Sequence, residues 1–328
     1  MTDFDLVPPA VVRTPRRFKA SQVVWPVIGV LAVAFSVWLL VRELRGLSLA
    51  EVEEALRSIS PHHWALAIVS TLVAYGALAW YDRIALGHLG FKLPLSFISA
   101  VSFTTYALSH NIGMSMFSGA MVRYRAYSTK GLTVTDVGVM VAFCSFTFAL
   151  GTGVLGGVVC LLAPEVIAGL FHLPDLTVRM IGAGMLVLAL VYALGSALHL
   201  PPLKVGTFTL VYPRPPVMLR QFLAGPLELI GAAGIIYWAL PSADAVGFLV
   251  VLGVFLASFS AALLSHAPGG LGVLELVFVT ALPQVPRADV LAALLVFRLL
   301  YLIVPLCLGI VAVVLFERAR MSAAAADP

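Results

Sequence analysis

The chain has 328 residues, of which 61% are hydrophobic and only 11% are charged, and its formal net charge is +4. A soluble domain of this length needs about a quarter of its residues charged to cover its surface. The composition therefore excludes an ordinary soluble protein. It predicts an all-α polytopic membrane protein, because a chain in lipid must satisfy its own backbone hydrogen bonds.

Six apolar runs are long enough to cross a hydrocarbon layer of ~30 Å, which takes roughly 20 helical residues. These runs are 22–41, 63–81, 137–163, 176–198, 217–240 and 290–316. The first run follows a basic segment but is too long for a signal peptide and lacks a small-residue cleavage site, so we interpret it as an anchor helix. Two more apolar stretches, 94–118 and 245–282, are broken by polar residues, glycine or proline, and we predict that each forms a re-entrant helical hairpin.

The placement of basic residues favours hairpins over plain crossings. If 94–118 crossed the membrane once, Arg123, Arg125 and Lys130 would lie outside, against the positive-inside bias. A hairpin keeps them in the cytoplasm with the basic N-terminal tail. We therefore predict that both termini are cytoplasmic, and that the two hairpins enter from opposite sides, as in an inverted repeat.

This topology divides the chain into two membrane halves with short tails. The segments LSHNIG (108–113) and LSHAPG (264–269), one in each half, agree at four of six positions, although six residues can also agree by coincidence. The predicted units are a cytoplasmic tail over 1–21, a first half over 22–204, a second half over 205–316 and a cytoplasmic tail over 317–328.

Two polar segments lie between the predicted spans. In the first, Leu49, Val52, Leu56 and Ile59 share one helical face, and Ser48 with Glu51 forms a capping-box pattern, which predicts a short interfacial helix. The second, 199–217, is Pro-rich and too polar to span, so we interpret it as a linker that contains an extended strand near 205–211.

Several charged residues fall within apolar runs. Inserting a charge at the bilayer centre costs at least ~2.5 kcal/mol, so such side chains usually face a partner or a wet cavity. One hypothesis is internal pairing that holds helices together, for instance Glu228 or Glu275 with Arg298. The other is a functional role in a polar cavity, which would also include Asp82 at the end of the second run.

Both breaks contain residues suited to polar chemistry. Pro268, Gly269 and Gly270 end a helix and leave the next half-helix with unsatisfied N–H groups, which attract an anion such as phosphate. The alternative is a kinked helix packed against its neighbours. His110 and His266 are candidate proton carriers or head-group donors, or else packing residues, and Asn111 joins them as a candidate.

After the first break, Arg123 and Arg125 alternate with Tyr124 and Tyr127, and we place all four at the cytoplasmic interface. Arginine forks bind phosphate oxygens well, so both arginines are candidates for gathering anionic lipid. The alternative is that they set the topology while the tyrosines anchor the segment in the interface.

The sequence contains none of the enzyme motifs for which we searched. There is no Gly-x-Ser-x-Gly elbow, no His-Glu-x-x-His motif and no glycine-rich nucleotide loop. The three cysteines, Cys144, Cys160 and Cys307, lie in apolar runs without close pairing. We expect no cofactor, no metal and no nucleic-acid partner.

The order of the motifs resembles a known family. YD..AL, YALSHNIG...SGAMVRYRAYSTKGL, SHAPGGLGVLE and FRLLYLIVP together resemble the membrane flippase domain of bacterial lysylphosphatidylglycerol synthases, the multiple peptide resistance factor (MprF) family. The resemblance runs from about residue 60 to 316. On the matching motifs it implies functional roles for Asp82, Arg123, Arg125, Pro268, Gly269, Gly270 and Glu275, while Glu228 and Arg298 lie in segments that match more loosely.

The resemblance implies movement of aminoacylated phosphatidylglycerol from the inner to the outer leaflet of the bacterial cytoplasmic membrane, with resistance to cationic peptides. Full-length members continue into a cytoplasmic aminoacyl transferase domain, while this chain stops eight residues after Arg320. We therefore expect a transporter rather than an enzyme, fed by a separate transferase and able to form a homodimer. The alternatives are movement of another anionic or polyprenyl-phosphate lipid, and a noncatalytic membrane partner of a lipid synthase.

Overall fold

The computed structural model describes residues 49–112, 115–201, 203–205, 208–210, 212–241, 246–264, 270 and 272–326. The predicted tail and anchor helix over 1–41 lie outside these residues, as do His266, Pro268 and Gly269.

The described chain is almost entirely helical. Its helices are α1 (Leu49–Ser58), α2 (Pro61–His88), α3 (Leu95–Ile112), α4 (Ser115–Tyr127), α5 (Val134–Leu162), α6 (Pro164–Phe171), α7 (Asp175–Ala197), α8 (Pro215–Ala239), α9 (Phe248–Leu264), α10 (Val273–Ala281), α11 (Arg287–Phe297) and α12 (Val304–Ala326). A π-helical segment, Arg298–Ile303, joins α11 to α12.

Five stretches in the described residues are long and apolar enough to cross a membrane. They are Pro61–His88, Val134–Leu162, Asp175–Ala197, Pro215–Ala239 and Arg287–Leu315. Each contains most of one predicted run. The remaining predicted run, 22–41, lies outside the described residues. The chain is therefore an all-α multi-pass membrane protein.

Helices α3 and α4 form the first predicted hairpin, but its second arm continues to Tyr127, beyond the predicted end at residue 118. A Cβ built on Gly119 in α4 would lie 3.3 Å from Thr105 Cγ2 and 3.7 Å from Ser109 Cβ in α3. Residues at similar distances before and after the break are thus neighbours, so the two arms run antiparallel. The glycine allows this close approach.

Helices α9 and α10 form the second broken hairpin. Gly270, between the arms, has φ +66°, and a Cβ there would lie 2.4 Å from Leu274 Cδ1 and 3.2 Å from Ala262 Cβ. Only glycine fits this turn without strain, because a side chain would meet both arms.

The centre of the molecule is an antiparallel pair, α2 and α8. A Cβ built on Gly231 of α8 would lie 2.8 Å from the backbone nitrogen of Ala74 in α2. The Tyr81 hydroxyl, which comes later in α2, donates to the carbonyl of Gly225, which comes earlier in α8, at 3.4 Å. Each hairpin also packs against the opposite half: Gly309 of α12 approaches Ala107 of α3. In the same way, α9 packs against α5.

The first polar segment has the predicted helical conformation, and the second forms two short paired strands rather than the single strand predicted near 205–211. α1 is a short helix, with Ile59 just beyond its end buried and Leu56 packed on the core. In the linker, β1 (Leu203–Val205) and β2 (Phe208–Leu210) pair antiparallel, with Leu203 opposite Leu210. Ser48, the first residue of the proposed capping box, lies outside the residues that the structure describes.

Candidate functional site

Asp82 and Arg123 form a buried ion pair between α2 and the second arm of the first hairpin. Asp82 is 0% exposed and Arg123 is 4% exposed. Arg123 Nη2 donates to Asp82 Oδ1 at 2.7 Å, and Arg123 Nε donates to Oδ2 at 3.3 Å. The guanidinium therefore binds both carboxylate oxygens, the strongest geometry for such a pair.

Three more side chains surround this pair. Tyr127 Oη donates to Asp82 Oδ2 at 3.1 Å, and Cys144 Sγ lies 3.7 Å from Oδ1 in donor geometry. The Arg123 guanidinium lies 4.9 Å from the ring centroid of Tyr106, a cation–π distance. Helices α2, α3, α4 and α5 thus all contribute to one charged cluster inside the bundle.

The prediction that Arg123, Tyr124, Arg125 and Tyr127 lie together at the interface is wrong for two of them. Arg123 and Tyr127 are buried against Asp82, while Tyr124 is 43% exposed and Arg125 is half-buried. Successive residues of a helix point about 100° apart, so Arg123 and Tyr127, four positions apart, share the inward face.

Glu275 and Arg298 form a second buried ion pair, between the second hairpin and the π segment. Arg298 Nη2 donates to Glu275 Oε1, and both side chains are nearly inaccessible. Internal pairing, one of the two hypotheses for these residues, is therefore confirmed for Glu275 with Arg298. Such a pairing does not exclude a functional role.

Glu275, in the first turn of α10, also caps the start of this half-helix. Its Oε2 accepts a hydrogen bond from the Gly272 N–H at 2.9 Å. The expectation of free N–H groups at the start of this half-helix is therefore wrong for Gly272, because the chain supplies its own carboxylate there. A phosphate that bound the Gly272 N–H would have to displace that carboxylate.

Glu228 has a different environment from the other two buried acids. It is 2% exposed, and its Oε1 accepts a hydrogen bond from Tyr301 Oη at 2.7 Å. Its Oε2 has no hydrogen-bond partner among the described residues. Pairing of Glu228 with Arg298 is not observed, since Arg298 binds Glu275.

The π segment connects the first hairpin to the second half. Asn111 Nδ2 donates to the Leu302 carbonyl at 3.1 Å and to the Ala107 carbonyl at 2.8 Å, and Tyr75 Oη donates to the Tyr301 carbonyl at 2.9 Å. The wider π turn disturbs the regular helical hydrogen bonding, which makes carbonyls available to neighbours. Asn111 is thus a link between helices.

His110 lies beside the same segment. Its ring stacks on Tyr301 with centroids 5.2 Å apart and planes 20° apart. Its Nδ1 is inaccessible to solvent and has no hydrogen-bond partner in the described part of the chain. His110 and Glu228 therefore both contact the Tyr301 side chain, and Asn111 binds the carbonyl of the next residue, Leu302.

Sequence reasoning missed the aromatic and thiol partners of these charges. Tyr127 lies one helical turn from Arg123, and Tyr301 lies one turn from Arg298, so helical spacing could have indicated both. Tyr75 and Cys144 gave no such signal, since only the packing of helices distant in sequence brings them to the site.

The family model for the lysylphosphatidylglycerol synthase transmembrane region matches residues 27–309. The chain belongs to this family. Two relatives of the lysylphosphatidylglycerol synthase transmembrane family match over nearly their whole length. The uncharacterized protein slr0712 of Synechocystis is 31% identical over 88% of this chain and 90% of its own length, and the inner membrane protein YbhN of Escherichia coli is 31% identical over 81% and 84%.

The synthases themselves are more distant. The phosphatidylglycerol lysyltransferase of Staphylococcus haemolyticus is 27% identical over 71% of this chain, which corresponds to 27% of its own length. The lysyltransferase of Staphylococcus aureus is 26% identical over 84% of this chain and 32% of its own length. The family resemblance drawn from the motifs is thus confirmed.

Proposed function

We propose that this chain is a lipid translocase that moves aminoacylated phosphatidylglycerol, such as lysylphosphatidylglycerol, from the inner to the outer leaflet. Membership of the lysylphosphatidylglycerol synthase transmembrane family supports a lipid substrate of this chemistry. Outer-leaflet exposure of a cationic head group would lower the negative surface charge and so give resistance to cationic antimicrobial peptides. The host membrane is the bacterial cytoplasmic membrane, with both termini on the cytoplasmic side.

The observation that carries this proposal is the Asp82–Arg123 pair, which joins α2 to the first hairpin. A lysylphosphatidylglycerol head group contains a phosphate anion and ammonium groups, and this pair contains the two complementary charges. The phosphate can replace Asp82 at the Arg123 fork, and an ammonium group can replace Arg123 at Asp82. The exchange of partners leaves neither Asp82 nor Arg123 without an opposite charge, and an unpaired buried charge is costly in a low-dielectric interior.

The arrangement of the two halves supports alternating access. The central helices α2 and α8 are antiparallel, and each is followed by a broken hairpin that packs against the long helical stretch after the hairpin of the other half: α3 against α12, and α9 against α5. We interpret this reciprocal packing of the hairpins as an inverted repeat, with the halves meeting near residue 205. In such transporters, substrate sites lie near the membrane midplane between the repeats.

The second ion pair completes the proposed path. Glu275 lies in the second hairpin, and Arg298 lies in the helical stretch after it. The first pair likewise joins Arg123 of the first hairpin to Asp82 of a long helix next to it. Arg125 at the membrane edge would gather anionic lipid. His266, Pro268, Gly269 and Gly270 would line the second break. A separate aminoacyl transferase would supply the lipid, and a homodimer is the proposed assembly.

The second candidate is a translocase for another anionic or polyprenyl-phosphate lipid. The two relatives that match over nearly their whole length are not named lysyltransferases, which favours this possibility. The Arg123 fork would bind the phosphate of such a lipid as well. Asp82 would then lack its cationic partner in the substrate.

Reconstitution in liposomes tests the proposal. Purified protein is incorporated with fluorescent lysylphosphatidylglycerol, phosphatidylglycerol or polyprenyl phosphate, and accessibility to a membrane-impermeant quencher is followed. The proposal requires faster exchange of the lysyl lipid than in protein-free vesicles, and slower exchange with Arg123→Gln. Arg57→Gln is the matched control, because Arg57 pairs with Glu53 at an exposed site. Faster exchange of polyprenyl phosphate alone favours the second candidate, and no exchange of any lipid favours a noncatalytic membrane partner.

A further inference from the structure

Three acidic side chains are buried in the described part of the chain, and they have different partners. Asp82 and Glu275 each bind an arginine, so their charges are compensated. Glu228 accepts one hydrogen bond from the Tyr301 hydroxyl, and Glu228 Oε2 has no partner among the described residues. A buried carboxyl group without a cation can become neutral only by binding a proton.

The geometry identifies where that proton would be. Tyr301 Oη lies 2.7 Å from Glu228 Oε1 and occupies that oxygen as a donor. A proton on the carboxyl group would therefore be carried by Oε2. The His110 ring stacks on Tyr301. Its Nδ1 is a second titratable atom that has no hydrogen-bond partner among the described residues.

Among the residues that the structure describes, no other ionisable group packed around α8 pairs with Glu228 as a cation. Helix α2 contributes the phenols Tyr75 and Tyr81 together with Asp82, which is occupied by Arg123. His63 of α2 packs against Trp238 near the end of α8, and Arg83 of α2 and Arg220 of α8 are both exposed. The π segment contributes Tyr301, and also Arg298, which is occupied by Glu275. The remaining packed helices bring Cys144 from α5, Tyr192 from α7 through Gln221, and Arg287 with Asp289 at the far end of α11, while α9 contains no ionisable residue.

We propose that Glu228, with Tyr301 and His110 around it, is a proton-exchange site that couples lipid movement to the transmembrane proton gradient. This inference rests on the proposed translocase function. The proton comes from water on one side of the membrane, binds Glu228 Oε2 and leaves to water on the other side. Tyr301 connects this event to the lipid path, because its own carbonyl is bound by Tyr75 and the next carbonyl by Asn111 of the first hairpin.

Two measurements on the full chain test this site. In detergent, infrared difference spectra are recorded across pH, and the C=O stretch of a protonated buried carboxyl group should appear and disappear with pH in the wild type. The band should be absent from Glu228→Gln and unchanged in Glu54→Gln, since Glu54 is exposed. Tyr301→Phe should shift the band and its titration midpoint, which provides a second readout if the glutamine variant does not fold. A band that does not titrate, or that persists in Glu228→Gln, overturns the proposal.

In proteoliposomes, lipid exchange is measured with and without an imposed pH difference, with the membrane potential clamped by potassium and valinomycin. The wild type should respond to the pH difference and lose the response with a protonophore, and Glu228→Gln should lack the response. Wild-type exchange that is insensitive to the pH difference overturns the coupling but leaves the translocase function intact. Absence of any wild-type exchange contradicts the translocase function itself, and coupling falls with it.

Discussion

Arg123 donates hydrogen bonds to both carboxylate oxygens of Asp82, and this contact fixes the second arm of the first broken hairpin against the central helix α2. The two residues are 41 positions apart, and both are buried. Their contact gives the first hairpin a charged anchor inside the bundle.

Breaking this pair on one side should destabilise the protein. Asp82→Asn or Arg123→Gln leaves a buried charge without its partner, which costs about 3–5 kcal/mol. The double variant Asp82→Arg with Arg123→Asp restores an ion pair in reverse and should recover part of the loss. Thermal unfolding in detergent measures the Tm of all three. A double variant no more stable than the two singles would contradict a direct pairing.

The hairpin topology predicts which loops share a side of the membrane. Cysteines placed at Lys92 and Ser128 flank the first hairpin and should react with an impermeant maleimide from the same side. A cysteine at Gln284 should react from the opposite side. The background carries Cys307→Ser, because Cys307 is exposed whereas Cys144 and Cys160 are buried. Opposite-side labelling of positions 92 and 128 would mean that 94–118 crosses the membrane once.

Asn111 should contribute to stability through its bond to the Leu302 carbonyl. Asn111→Leu removes an interhelical hydrogen bond, and such bonds in membrane proteins contribute roughly 0.5–2 kcal/mol. Thr104→Val is the control, since Thr104 donates to Ala100 within its own helix. Unfolding in denaturant should show the larger loss for Asn111→Leu. Equal losses would indicate that the link to the π segment adds nothing.

Gly151 should tolerate no side chain, whereas Gly153 on the same helix should. A Cβ at Gly151 would lie 2.5 Å from the backbone carbon of Gly225 in α8, while a Cβ at Gly153 has nothing within 4 Å. Gly151→Ala should therefore lower the free energy of unfolding by about 1–3 kcal/mol through overpacking. Gly153→Ala should raise it by roughly 0.5–1 kcal/mol, because alanine favours the helix. If both variants behave alike in Tm, α5 and α8 do not approach this closely.

The sequence predicts much of the fold because hydropathy and glycine or proline breaks are local signals. The spans, both hairpins and the linker strand follow from them, and so do the buried charges. The partners of those charges depend on which helices pack together, and a short segment of sequence does not predict that packing. Arg123 illustrates the difference: its neighbours Tyr124 and Arg125 suggested an interface, while Asp82 in another helix determines where it lies.

The π segment was also beyond sequence reasoning. In the sequence, residues 290–316 look like one continuous apolar helix. In the structure, the segment Arg298–Ile303 forms a wider π turn, and Tyr75 and Asn111 donate hydrogen bonds to its carbonyls. The cluster around Tyr301 therefore emerges only from the assembled bundle.

Leaflet exchange of lysylphosphatidylglycerol by the charge-reversed pair tests the central claim most directly. The double variant Asp82→Arg with Arg123→Asp keeps an ion pair but moves the phosphate-binding fork to α2. If the pair binds the head group, exchange should fall by about tenfold or more even where Tm recovers, since a charge-assisted hydrogen bond contributes roughly 1.5–3 kcal/mol and 1.4 kcal/mol is tenfold. Exchange at the wild-type rate in this variant would show that the pair only holds the helices together, and would contradict the account.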